Sequence, residues 1–174
     1  DFIHRILVGA FNRLPKASGS GKSGRVGIAP VGQEILDRSA VQVHEDGSFS
    51  LLITVGLPAA GRRILGHAAA TLLVDSIPTA IRNGMEALEL ESLERHIHCY
   101  EDQLALRKAL RERDLVAFVA EGSVLPRISG VDDRPLSEGI PFEVPGSLKV
   151  SLPTPHSGSI DGLGISRGIT GTRT

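Results

Sequence analysis

Gly19-Ser20-Gly21-Lys22-Ser23 is the first stretch of the chain whose residue types and spacing point to chemistry. A glycine-rich turn closing on Lys-Ser is how a phosphate-binding loop ends. Its backbone N–H groups wrap the phosphates, the lysine neutralises charge, and the hydroxyl ligates magnesium. Such a loop also needs a glycine five residues before Gly21, a strand ahead of it and a helix behind it. Position 16 is instead Lys16. The preceding segment reads as helix and residues 24–28 read as strand, so no helix N-terminus supplies its dipole. The stretch is therefore not read as a Walker loop. Two readings stay open: a flexible Gly/Ser connector with a solvated lysine, and a basic loop that contacts phosphate. The second rests on the cluster Arg13, Lys16, Lys22 and Arg25 and on glycines that let a backbone approach a ligand closely.

Three further groups carry reactive side chains. Arg62 and Arg63 follow Gly61 at the expected start of a helix, where positive charge opposes the dipole and hints at a phosphate or carboxylate partner. Two solvated arginines are the simpler reading. His96 and Cys99 are three apart on an expected helix, with His98, Glu94, Glu101 and Asp102 close by. A metal could bridge one helix face at that spacing. No second Cys/His pair lies at zinc-ligand spacing, so surface side chains are the expectation. Arg127, Asp132, Asp133 and Arg134 fall between Pro126 and Pro135 and read most simply as a salt-bridged loop.

The elements that must position these groups form an α+β chain: an N-terminal helix, a β-hairpin, a helical middle and a β-rich tail. Residues 1–14 read as a helix with Asp1 as N-cap and a stripe of Phe2, Ile3, Ile6, Leu7, Ala10, Phe11 and Leu14, ended by Pro15. Residues 26–29 read as a short strand and 33–38 as one or two helical turns. Residues 40–44 and 49–55 read as a hairpin turning at Asp46-Gly47. A helix is expected from Arg62, burying Leu65, Ala68, Ala69, Leu72 and Leu73, broken or kinked at Pro78 and continuing over 79–88. Residues 90–113 form the longest helical pattern, with Leu93, Ile97, Tyr100 and Leu104 on its apolar side. The apolar run 115–120 reads as a strand buried on both faces. Short strands are expected at 147–152 and 163–169.

Composition narrows the function classes. Nineteen basic residues against twenty acidic ones give a net charge of −1 over 174 residues. That excludes a uniformly basic nucleic-acid domain but not a local patch. Aromatics make up 3% of the chain, so the core must be aliphatic and base stacking has few platforms. One cysteine permits no internal disulfide, in keeping with a reducing, cytoplasmic setting. No run reaches the roughly 18 apolar residues of a membrane span.

Five stretches, in order, resemble one family: GSGKSGR at 19–25, VGLPAAGRRILG at 55–66, EDQLALR at 101–107, LVAFVAEGSVLPRISGVDDRPL at 115–136, and PFEVPGSLKVSLPTPHSGSIDGLGISRGIT at 141–170. The family is the predicted ATPases of the ABC class with a distinctive N-terminal domain, a group that includes a trypanosome mitochondrial RNA-editing-associated ATPase. Val144, Leu163 and Ser166 depart from its pattern, which has serine, methionine and proline there. The resemblance implies an N-terminal domain over 1–140 and the start of the ATPase core over 141–174. The strand at 162–170 would lead into a Walker loop, and the chain is expected to stop before it. ATP and magnesium are implied for the intact protein. The implied partners are the remainder of the core, RNA as a candidate, a homodimer as a candidate state, and no membrane. No catalytic or metal residue is assigned to this stretch. Ser20, Gly21, Lys22, Ser23 and Arg25 are the candidate phosphate or nucleic-acid contacts, with Arg62 and Arg63 ranked second. The alternative is a module that binds nucleotide or RNA through 19–23 directly.

Overall fold

The computed structural model describes residues 1–15 and 19–168. Lys16, named in the basic cluster, and the expected run into a Walker loop from Ile169 lie outside them. The architecture is mixed α+β. Two compact units divide between Leu93 and Glu94.

The first unit is built on α1 (Phe2–Asn12), whose apolar stripe buries Leu7, Ala10 and Phe11 together with His4. The Asp1 carboxylate makes no side-chain cap bond. It pairs with the guanidinium groups of Arg5 and Arg38, each at 2.7 Å. The same network explains why residues 33–38 are not helical as expected. The Glu34 carbonyl, which a helix would bond to the Arg38 amide, instead accepts from the side chains of Arg5 and Arg38.

β1 (Val26–Ile28) pairs antiparallel with β4 (Ile53–Val55), and β2 (Val41–Val43) with β3 (Phe49–Leu51). The Asp-Gly turn stands where expected, with Gly47 at φ 82°. The anticipated single strand 49–55 breaks at Leu52, whose side chain is exposed. Its N–H bonds the Ala40 carbonyl, so β3 and β4 serve different partners. A third ladder, β5 (Ala59–Ala60) with β6 (Arg63–Ile64), occupies the stretch expected to begin a helix.

Helix α2 (Gly66–Ala70) runs through a π-helical turn, Thr71–Ser76, into α3 (Ile77–Glu86). Pro78 therefore widens the helix rather than ending it. Its ring crowds the carbonyl four residues back, and a π turn relieves that crowding. Ala69 and Leu72 are buried on this stretch, but Leu73 is exposed. The core gathers Leu7, Phe11, Val41, Leu72, Ile77 and Ala80. Gly84 lets α1 and α3 pack closely, since a Cβ there would sit 3.3 Å from both Ala10 Cβ and Ile6 Cγ2.

Helix α4 (Leu90–Glu112) crosses the division. It buries Asp102 and Ala109, whereas Ile97 and Leu104, of the expected apolar stripe, are exposed. In the second unit, β10 (Lys149–Thr154), β11 (Gly158–Ser166) and β7 (Leu115–Ala120) form an antiparallel sheet in the order β10-β11-β7. β7 is an edge strand with Val116 57% exposed, so it is not buried on both faces. Strands on either side of residue 141 thus share one sheet. The stretch read as a loop between Pro126 and Pro135 is itself a hairpin, β8 (Arg127–Ser129) and β9 (Asp132–Pro135). Among the described residues no helix is long and apolar enough to cross a membrane.

Candidate functional site

Residues 19–25 form two overlapping turns, closed by the Ser23 N–H to the Ser20 carbonyl and the Arg25 N–H to the Lys22 carbonyl. Gly21 and Gly24 take φ values of 64° and 67°, a region that favours glycine. The turns are fastened to the β5–β6 hairpin. The Ser20 N–H donates to the Ala59 carbonyl at 3.1 Å. The Ser23 hydroxyl accepts from the Ala59 N–H at 3.1 Å, and the Ser20 hydroxyl from the Gly61 N–H at 3.2 Å. Below them, the Gly24 N–H donates to Gly56 and the Gly56 N–H to Arg25, extending the β1–β4 ladder by one step. A Cβ on Gly19 would run into the Ser23 hydroxyl and the Ala59 carbonyl, and one on Gly56 into the Lys22 carbonyl.

This fastening joins two candidates that are 40 residues apart in sequence. Arg62 sits at the tip of the β5–β6 turn and Arg63 opens β6, not a helix start, so their supposed conflict with a helix dipole falls away. Lys22, Arg25, Arg62 and Arg63 are all exposed. Among the described residues none of the four has an acidic partner. Arg5, Arg38, Arg134, Lys149 and Arg167, by contrast, are all paired with carboxylates. Beside the loop lies an opening of about 510 Å³, lined by Phe11, Asn12, Leu14, Lys22, Arg25 and Val26 among others.

The second unit holds a polar cluster of which the sequence named the helical members, His98, Cys99, Glu101 and Asp102, but not their partners His156 and Ser157. Asp102 of α4 accepts the His156 N–H at 2.9 Å, the Ser157 N–H at 3.1 Å and the Ser157 hydroxyl at 2.6 Å. It thereby holds the turn between β10 and β11. The Ser157 hydroxyl bond is the largest influence keeping the Asp102 carboxyl below its ordinary pKa; burial opposes it, and the two N–H bonds add to it. His156 also bonds Glu101, and its ring stacks on His98 with centroids 3.9 Å apart. Cys99 is a free, exposed thiol on the same helix, within a groove of about 360 Å³ that Asp102, His156 and Ser157 also line. Among the described residues no group of three or more His, Cys, Asp or Glu could hold a metal ion. Asp132 and Arg134 form the expected ion pair at 2.6 Å, which brings the Asp132 carboxyl to a pKa of about 2.

Residues 1–88 match the family described as ATPase of the ABC class, N-terminal, and residues 89–172 match the P-loop domain of the ABC ATPases. The chain belongs to the ABC-class ATPases. No curated protein matches it.

In this ABC-class ATPase the fastened basic loop falls in the N-terminal match, and the Asp102 cluster in the P-loop match. A P-loop domain implies nucleotide and metal use in general. Residues 19–23 do not fit that use. A phosphate cradle needs consecutive free amides and a hydroxyl for magnesium, yet the amides of Ser20, Ser23, Gly24 and Arg25 are spent on carbonyls. The Ser23 hydroxyl is occupied by Ala59. Within residues 19–25 the amides of Gly19, Gly21 and Lys22 lack an acceptor among the described residues.

Proposed function

We propose that this chain is the accessory N-terminal region of a cytoplasmic ABC-class ATPase. In the intact protein it couples the binding and hydrolysis of ATP, with magnesium, to a phosphate-bearing partner, of which RNA is the first candidate. The remainder of the ATPase core is its constant partner, and a homodimer is the working form. Supporting this is one observation above others: four cations without acidic partners among the described residues, presented by two fastened turns, in a chain of net charge −1. Uncompensated cations on an ordered surface favour an anionic partner.

In this reading Lys22, Arg25, Arg62 and Arg63 make the contacts, assisted by the free amides of Gly21 and Lys22. Ser20 and Ser23 hold the turns in place. The test is ATP hydrolysis by the intact ATPase, with and without RNA. Stimulation by RNA that disappears in Lys22→Ala/Arg25→Ala, while basal turnover stays, supports the coupling. Unchanged stimulation in that variant removes these residues from it. Magnesium-dependent ATP binding by the present chain alone, abolished by Lys22→Ala, would replace this reading with a loop that binds nucleotide directly.

A further inference from the structure

We infer, on the footing that residues 19–25 contact phosphate as proposed above, that this surface recognises the phosphodiester backbone of a nucleic acid and does not read its bases. Base recognition needs one of two things. The first is a stacking platform, an aromatic ring or an arginine plane held in place. Residues 19–25 and 56–66 contain no aromatic residue, and no hydrogen bond to the described residues holds the Arg25, Arg62 or Arg63 side chain in place. The second is a polar side chain held in a fixed orientation against a base edge. The two hydroxyls that could serve, Ser20 and Ser23, already accept from Gly61 and Ala59. The four cationic side chains are not held by any hydrogen bond to the described protein.

What remains is charge at defined places: long, uncommitted side chains on a backbone made rigid by the fastening bonds. That combination suits phosphates, which repeat along every strand whatever the sequence. It also gives the hydroxyls and cations separable roles. The hydroxyls set where the cations stand, and the cations displace counterions from the strand.

The test measures binding of the present chain to fluorescently labelled 20-nucleotide RNA and DNA oligomers over 50–300 mM KCl. With four cations engaged on a single strand, log K falls against log salt with a slope of about −3. Each of Lys22→Ala, Arg25→Ala, Arg62→Ala and Arg63→Ala reduces that slope by about 0.7. Ser20→Ala/Ser23→Ala weakens binding but leaves the slope unchanged. U, A and C homopolymers bind within about threefold of one another. Equal binding of RNA and DNA identifies the phosphate as the group recognised, and tighter RNA binding adds the ribose 2′-hydroxyl. A more than tenfold preference among homopolymers overturns the inference, as does a slope indifferent to the four substitutions. If oligomers bind as expected but RNA leaves the intact ATPase's turnover unchanged, the coupling fails and the backbone surface stands. If Lys22→Ala/Arg25→Ala abolishes stimulation yet the wild-type chain binds oligomers without a salt slope, the backbone inference fails and the coupling stands.

Discussion

Asp102 shows what one side chain can do for a loop. Three donors from two consecutive residues converge on its carboxylate, so the turn between β10 and β11 is organised by a charge on a different element. A carboxyl held below its ordinary 3.8 when folded contributes stability that is fully present above the unfolded-state value. That stability is lost as pH falls through the depressed folded value. Thermal melts between pH 2 and 6 should therefore show stability falling below about pH 4, and Asp102→Asn should flatten that acid limb while leaving the curve above pH 5 parallel. An acid limb unchanged in the variant would mean that other carboxylates carry it. In the sequence Asp102 is one acid among many on a charged helix. Its partners lie 54 and 55 positions later, and no local periodicity announces a contact at that range. The cations of the basic loop were legible because lysine and arginine beside glycine signal phosphate contact by residue type alone.

Between elements, the decisive contact is the one that ties residues 19–25 to the hairpin at 59–64. Gly56 is where it is tightest, because the Lys22 carbonyl occupies the space a Cβ would need. Gly56→Ala is expected to destabilise the first unit by about 1–3 kcal/mol, the usual cost of forcing atoms into an occupied site. Urea denaturation would measure it, and a loss under about 0.5 kcal/mol, the scale of an ordinary surface substitution, would show that the loop can shift aside. Elements with strong local signals were readable: the α1 stripe, the Asp-Gly hairpin and the long helix α4. Those decided by competition for hydrogen bonds were not. Residues 33–38 lost their helical turns to the side chains of Arg5 and Arg38. The expected helix start at Arg62 yielded to a two-residue hairpin turn at Gly61, φ 60°. Pro78 carried the right warning, but whether a helix stops or widens there depends on surroundings that a sequence pattern does not report.

At the scale of the whole molecule, the chain divides into two compact units. Leu7 is fully buried in the first and Leu152 in the second. Leu152→Ala should cost about 2–5 kcal/mol. Amide exchange should show that loss in β7, β10 and β11, with α1 and α3 keeping their protection, since sub-global opening follows cooperative units. Equal loss of protection in α1 would mean that the chain melts as one body. The α+β class and the family resemblance were both accessible from the sequence, because five ordered stretches carry the latter across most of the chain. The pairing of β7 with β11 was not, since it joins strands about 45 residues apart.

The chain's lone thiol gains an unplanned use from where it sits. Cys99 is exposed and lies in the groove that Asp102, His156 and Ser157 also line, three residues before Asp102 on α4. A maleimide dye therefore attaches at one known place without any engineering. Its emission would follow, in real time, whether the β10–β11 turn is seated or has let go.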